Sequence, residues 1–386
     1  MKFIAHPFWL VGFRPFFSLA CLAGLSLPML WALIFSGVLA SPGGPLPALQ
    51  WHAHEMFFGF GWAVLGGFLL TATKNWVQVR GFHGLPLIGL VAAWILERIG
   101  MACGKEWPPL LFWLSNTLFL GAIVAMLLWT LLRYRKQDSY RDNYFFLVVL
   151  PAFLAAKLLL LGTDTFQIGV AMCIGLFRMA FLVMLERTLT QFMKGVFQVT
   201  LYRQPRLDGA IKLLAAALVL QGFMPPALAV PIQLLLALLL GARFVLWSPH
   251  LGLRRIELAV MYVGYAAIVA QLLLEAAAAN GSPPWVGSMS VHVFTFGAMG
   301  LIIPAMLIRI SKGHTGRKVA FDAGDKLALS MMLAAFAVRV VLPQLFPAAY
   351  LLWIGLAAAC WCVCFAILGV RYIPHLLQPR VDGKEH

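Results

Sequence analysis

Leu110-Leu-Phe-Trp-Leu-Ser-Asn-Thr-Leu-Phe-Leu-Gly-Ala-Ile-Val-Ala-Met-Leu-Leu-Trp-Thr-Leu-Leu132, followed at once by Arg133, Arg135 and Lys136, decides the fold. The stretch carries no charge over the roughly 20 residues that a bilayer core demands of a helix. It is continuous and rich in Leu and Ala rather than alternating, which excludes a barrel strand. Comparable runs begin near Pro15, Trp51, Leu85, Tyr144, Phe166, Ala210, Leu228, Glu257, Trp285, Lys326 and Ala348. Only helices and closed barrels satisfy their own backbone in lipid. The expected architecture is therefore an all-α, polytopic transmembrane helical bundle of about twelve helices. It forms a single integral-membrane domain over residues 1–386.

Composition agrees. Of 386 residues, 62% are hydrophobic and 11% charged, against about 25% charged in soluble domains. A water-soluble globule and a disordered chain are both excluded. Six cysteines in a chain this long make no disulfide scaffold, and Cys360, Cys362 and Cys364 at alternate positions read as small packing residues. The N-terminal stretch, with Lys2, His6, Arg14 and Pro15, predicts no cleavable signal peptide.

The net charge of +15 has a topological explanation. Basic residues fall in every second loop: Lys74 and Arg80; Arg133, Arg135, Lys136 and Arg141; Lys194, Arg203 and Arg206; Arg254 and Arg255; Lys312, Arg317 and Lys318; Arg371, Arg380 and Lys384. The opposite loops hold little besides Lys105. The positive-inside rule then puts both termini in the cytoplasm. No nucleic-acid partner is needed to account for the charge.

Ionisable side chains in such segments are functional candidates by default. Trp51-His-Ala-His-Glu-Met56 is the densest cluster, at the head of the second helix. His52 and His54 stand about 200° apart around a helix and face different neighbours, with Glu55 beside them. The motif is either an interfacial helix start, with Glu55 favoured by the dipole, or a ligand set for metal or haem. His292 opens Val291-His-Val-Phe-Thr-Phe-Gly-Ala-Met-Gly300 in the tenth helix, at a matching depth below the outer surface. Gly297, Ala298 and Gly300 there either admit a flat macrocycle or close a helix contact.

On the inner side, Gly313-His-Thr-Gly-Arg317 either caps the tenth helix, holds a haem propionate through Lys312, Arg317 or Lys318, or uses His314 for a second centre. Deeper charges, among them Glu97-Arg98, Lys157, Arg178, Glu186-Arg187, Arg243, Glu275 and Arg339, either relay protons or pair between helices. The sequence contains no Walker loop, no CxxCH and no CxxC pair, which removes support for nucleotide hydrolysis, covalent haem and thiol redox chemistry.

Several of these residues together resemble a known family. Phe13-Arg-Pro-Phe-Phe17, Trp51-His-Ala-His-Glu-Met-Phe-Phe-Gly59, Gly67-Phe-Leu-Leu-Thr-Ala-Thr-Lys-Asn-Trp76, His292 with Phe296-Gly-Ala-Met-Gly300, Arg309, Gly313-His-Thr-Gly-Arg317 and Gln378-Pro-Arg-Val-Asp-Gly383 are similar to the NnrS family of bacterial inner-membrane proteins. The chain departs from the family's usual pattern at Leu185-Glu-Arg-Thr-Leu-Thr190 and at Asn75-Trp-Val-Gln78.

The resemblance implies non-covalent haem b, copper and a role in handling nitric oxide, often beside denitrification, in the bacterial inner membrane. By position, the family's histidines correspond to His52, His54, His292 and His314. The expected site has His54 and His292 on haem and His52 on a second metal or haem, with the roles of His52 and His54 open to exchange. Glu55 is the expected proton donor, and a quinol the expected electron donor. Three classes remain open: an oxidoreductase that consumes nitric oxide, a protein that binds or senses it without turnover, and a transporter of metal, haem or a metal–nitrosyl species.

Overall fold

The computed structural model describes residues 4–139, 143–279, 281 and 284–384; for Lys74 it describes the backbone alone. Lys2 and Arg141 lie outside the described residues. The chain is helical, with no strand among the described residues. We number the helices α1 (Phe13–Phe35), α2 (Ala48–Val77), α3 (Leu85–Cys103), α4 (Pro109–Arg133), α5 (Tyr144–Leu161), α6 (Phe166–Phe197), α7 (Pro205–Ala217), α8 (Pro226–Leu246), α9 (Ile256–Ala278), α10 (Met289–His314), α11 (Ala323–Val340) and α12 (Tyr350–Leu377).

Local chemistry marks their ends. α4, α7 and α8 begin on a proline, which has no N–H to leave unpaired. α11 opens with a reciprocal capping box between Asp322 and Asp325. Eleven of the twelve are long and apolar enough to cross a membrane, so the chain is a multi-pass membrane protein. The exception is α7, the run expected near Ala210. It stops at Ala217, continues as a 3-10 turn over Leu218–Phe223, and carries Arg206, Asp208 and Lys212.

Burial is inverted relative to a soluble protein. Val370 is 79% exposed and Leu238 68%, whereas Arg14, Glu97, Lys157 and Arg178 are fully enclosed. Apolar side chains coat the outside and charged ones partner inside, the distribution that a lipid solvent imposes.

The chain forms two compact units. The first comprises Met1–Phe166, Leu307–Ala320 and Phe365–His386; the second comprises Gln167–Met306 and Phe321–Cys364. In the first, α1 packs on α2, α3 on α4 and α4 on α5. Thr71 locks the first pair: its hydroxyl donates to Gly67 O at 2.7 Å and accepts the Phe13 N–H at 2.9 Å. In the second, α9 packs on α8, α10 and α11.

The two helices that carry His52, His54 and His292 change pitch next to these histidines. α2 is α-helical over Ala48–His54, π-helical over Glu55–Gly61, and α-helical again over Trp62–Val77. α10 repeats this with Met289–His292, a π-helical Val293–Gly300, and Leu301–His314. π-helical insertions widen the turn and recur at functional sites.

Candidate functional site

In the first unit the polar side chains of three helices meet one to two turns from the helix ends. α2 supplies His54 and Glu55, α3 supplies Glu97 and Arg98, and α5 supplies Lys157. His54 Nδ1 lies 3.2 Å from Glu55 Oε1, and its Nε2 lies 3.3 Å from Glu97 Oε1. Arg98 Nε stands 2.9 Å from Glu55 Oε2, and Arg98 Nη2 donates to Glu97 Oε1 at 2.6 Å. Lys157 Nζ donates to the same Glu97 oxygen. Two carboxylates thus face one guanidinium and one ammonium, and the cluster balances with no charge on His54. His54, Glu97 and Lys157 are fully enclosed.

The π-helical turn shapes this chamber. A Cβ at Gly59 would stand 3.0 Å from Glu55 Oε2 and 3.1 Å from Arg98 Nη1, so glycine leaves the space that the ion pair fills. Trp94 Nε1 donates to Gly59 O at 3.0 Å, and its ring lies under Arg98, 5.1 Å from the guanidinium carbon. Lys157 Nζ lies 5.1 Å from the Phe58 ring centre. Hydrogen bonding is incomplete: His54 Nε2, Glu97 Oε2 and Arg98 Nη1 are buried and make none. Buried polar atoms without a partner are uncommon and costly, and this cluster holds several of them.

The structure parts His54 from its neighbour. His52 turns to α1 and stacks on Trp31 at 4.2 Å and 10°. The divergence follows the angular spacing expected on a helix.

His292 has its own surroundings in the second unit. Its Nδ1 lies 2.8 Å from Ser288 O and 2.9 Å from Ser288 Oγ. Arg339 of α11 sits against the ring, with Nη2 3.3 Å from Nδ1 and 3.4 Å from Nε2. The small residues after it serve helix packing. A Cβ at Gly297 would fall 2.5 Å from the Ala267 Cβ, and one at Gly300 would fall 2.9 Å from Trp361.

His314 and Arg317 belong to a helix stop. The Arg317 N–H reaches Lys312 O at 2.9 Å and the Gly316 N–H reaches Gly313 O at 3.2 Å, the paired bonds of a Schellman motif with Gly316 at φ +80°. The loop also seats the C-terminal tail. Thr315 O accepts the Val381 N–H at 3.0 Å, and His314 O accepts Arg380 Nη1 at 3.2 Å. Arg317 Nη2 donates to Gln378 Oε1 at 3.0 Å, and the His314 ring rests on Phe13 at 5.4 Å. Arg14 closes the other side, giving Leu376 O and Gln378 O hydrogen bonds of 2.6 Å each.

Sequence reasoning named Glu97, Arg98 and Lys157 as buried charges but did not join them to His54 and Glu55. Charge at helix depth was the available signal. Other buried charges pair within the second unit. Arg178 donates to Gln271 at 2.8 Å and faces Glu275 at 3.5 Å. Glu186, at the departure from the family pattern, faces Arg203 at 2.6 Å and Lys212 at 3.0 Å. Among the described residues, no group of three or more His, Cys, Asp or Glu is arranged to hold a metal ion.

Comparison with curated proteins gives no match. The family model described as NnrS protein matches residues 7–380, nearly the whole chain. A multi-pass helical protein with the histidine motifs in these places, matched over that span, belongs to the NnrS family, a group of membrane proteins linked to nitric oxide.

Proposed function

We propose that this chain acts on nitric oxide in the bacterial inner membrane by reducing it, with the cluster around His54 and Glu55 delivering protons. The observation that carries the reading is the enclosed imidazole placed between two carboxylates, just before a π-helical turn, one to two turns from a helix end. Nitric oxide is small and apolar and enters from lipid without a polar channel; protons do not. Joining two nitric oxide molecules forms one N–N bond and breaks one N–O bond. The nitrogen pair leaves as nitrous oxide and the oxygen as water. The reaction consumes two electrons and two protons, both of which a quinol releases on oxidation to quinone. Glu55 is the donor to the reacting oxygen. His54 meets Glu55 through Nδ1 and stands 3.3 Å from Glu97 through Nε2, and Lys157 and Arg98 hold the carboxylates in place.

Haem b and copper are the groups that the family resemblance implies, and the histidines divide on whether they fit. His292 fits. A carbonyl only accepts, so the contact with Ser288 O places the ring proton on Nδ1 and the lone pair on Nε2, the arrangement of metal-ligating histidines. Arg339, with Nη2 3.4 Å from Nε2, would turn aside for a ligand to bind there. His54 does not fit, because each ring nitrogen faces a carboxylate oxygen. His52 keeps its expected place at a second centre. A haem on His292 would supply an iron that binds nitric oxide.

The test uses the full chain in liposomes with a reduced quinol, following nitric oxide loss and nitrous oxide gain. Turnover in the wild type is expected, with E55Q slower by about 100-fold or more, the scale of general acid catalysis. Saturable nitric oxide binding without product would replace this reading with the binding or sensing one. Counterflow of a metal or haem would replace it with transport.

A further inference from the structure

The end of the first unit where α1 begins and α12 finishes holds a cleft of about 360 Å³. Its walls include three cations, Arg80, Arg380 and Lys384, and three apolar residues, Pro7, Leu10 and Pro379. The three chain segments are fixed beside one another. The Gly84 N–H donates to Trp9 O at 2.7 Å, which ties the loop carrying Arg80 to the N-terminal segment. The Val381 N–H donates to Thr315 O at 3.0 Å, which ties down the tail.

The charges are unequally committed. Arg380 is fully used: Nε and Nη2 grip Asp382 at 2.9 and 2.6 Å, and Nη1 donates to His314 O at 3.2 Å. Asp382 is thereby neutralised and does not compete for the other two cations. Among the described residues, the side chains of Arg80 and Lys384 make no ion pair or hydrogen bond. The cleft therefore offers two uncommitted positive charges over an apolar floor. It lies at the level where α2 ends, α3 begins and α12 ends, which is where a membrane's headgroups stand.

We infer that this cleft is a binding site for a phosphate-bearing anion, held by Arg80 and Lys384 with Pro7, Leu10 and Pro379 packed against its apolar part. Two uncommitted cations match the one or two negative charges of a phosphate, and Arg adds a planar fork for its oxygens. The anion is either the headgroup of an acidic phospholipid or a soluble phosphate compound. This inference is independent of the proton-delivering cluster and of any redox group.

The experiment uses the full chain in detergent. In one arm, native mass spectrometry compares retention of phosphatidylglycerol with that of phosphatidylcholine. In the other, calorimetry measures binding of inorganic phosphate. Each of R80Q and K384Q is expected to weaken the anion about fivefold, from about 1 kcal/mol per basic residue at a membrane surface, and the double variant by more than tenfold. Both residues are exposed, and equal melting temperatures check that the variants fold. Preference for phosphatidylglycerol lost in R80Q/K384Q supports the inference and identifies a lipid. Phosphate binding lost in the same variant supports it and identifies a soluble ligand. No preference and no phosphate binding in the wild type, or binding unchanged in the double variant, overturns it.

Discussion

Lys157 of α5 and Glu97 of α3 form an ion pair in which neither side chain has any exposed surface. Such a pair is costly to assemble and more costly to break, because removing one partner leaves the other charged and enclosed. Glu97 also answers Arg98 and faces His54, so one carboxylate holds the cluster together.

Removing one charge of that pair is expected to cost about 3–5 kcal/mol in unfolding free energy. K157M leaves two carboxylates against one cation, and E97Q leaves two cations against one carboxylate. The double variant E97Q/K157M restores balance through Glu55 and Arg98. It should unfold later than either single variant, a coupling that a double-mutant cycle in detergent measures. Simple additivity of the two losses would contradict the shared cluster.

Gly316 is expected to tolerate no side chain. Its φ of +80° disfavours one, and a Cβ would fall 2.6 Å from Asp382 Cγ. G316A should cost about 1–2 kcal/mol from the left-handed conformation alone. It should also loosen the docked tail, read as several-fold faster tryptic cleavage at Arg380. Cleavage at the wild-type rate would show that the helix stop does not seat the tail.

The hydrogen bond from Arg380 pulls Asp382 down to about 2 from its usual 3.8. The folded value is the lower one, so this contribution is present above pH 3.8 and is lost as pH falls through about 2. Wild type and D382N should differ in melting temperature near neutral pH and converge below about pH 2. A difference that persists unchanged in acid would assign the effect to shape rather than charge.

G297V is expected to push α9 from α10, because the new Cβ meets the Ala267 Cβ at 2.5 Å and Phe336 at 3.0 Å. Overpacking of this kind costs about 1–3 kcal/mol. G355A, where a Cβ meets nothing within 4 Å, is the control and should stay within about 0.5 kcal/mol of wild type. Thermal melts of the two variants decide it.

The helical runs were legible because lipid permits so few backbones, and eleven of twelve became helices able to span. The Ala210 run looked similar by apolar content, but Asp208 is drawn to Arg203 at 2.9 Å and Arg243 at 3.2 Å. That charge network depends on packing between helices, which apolar content does not encode. The divergence of His52 and His54 was readable from angular spacing alone. The union of His54 with Glu97 and Lys157 was not, because residues far apart in the chain meet only after three helices dock. The Gly-His-Thr-Gly loop allowed three readings, and its hydrogen bonds fit the cap.

The two π-helical stretches have a consequence for how this fold tolerates insertions and deletions. Each one stores a surplus residue in its spiral. Trimming one position between Glu55 and Gly61 would let the backbone rewind to regular pitch with its flanks still nearly in register, because the tract already holds the surplus residue. The same deletion in the regular turns over Trp62–Val77 would swing everything upstream by about 100° and take His54 from Glu97, while the hydropathy profile stayed almost unchanged. The two short tracts are the places where these helices give up a residue with least disturbance.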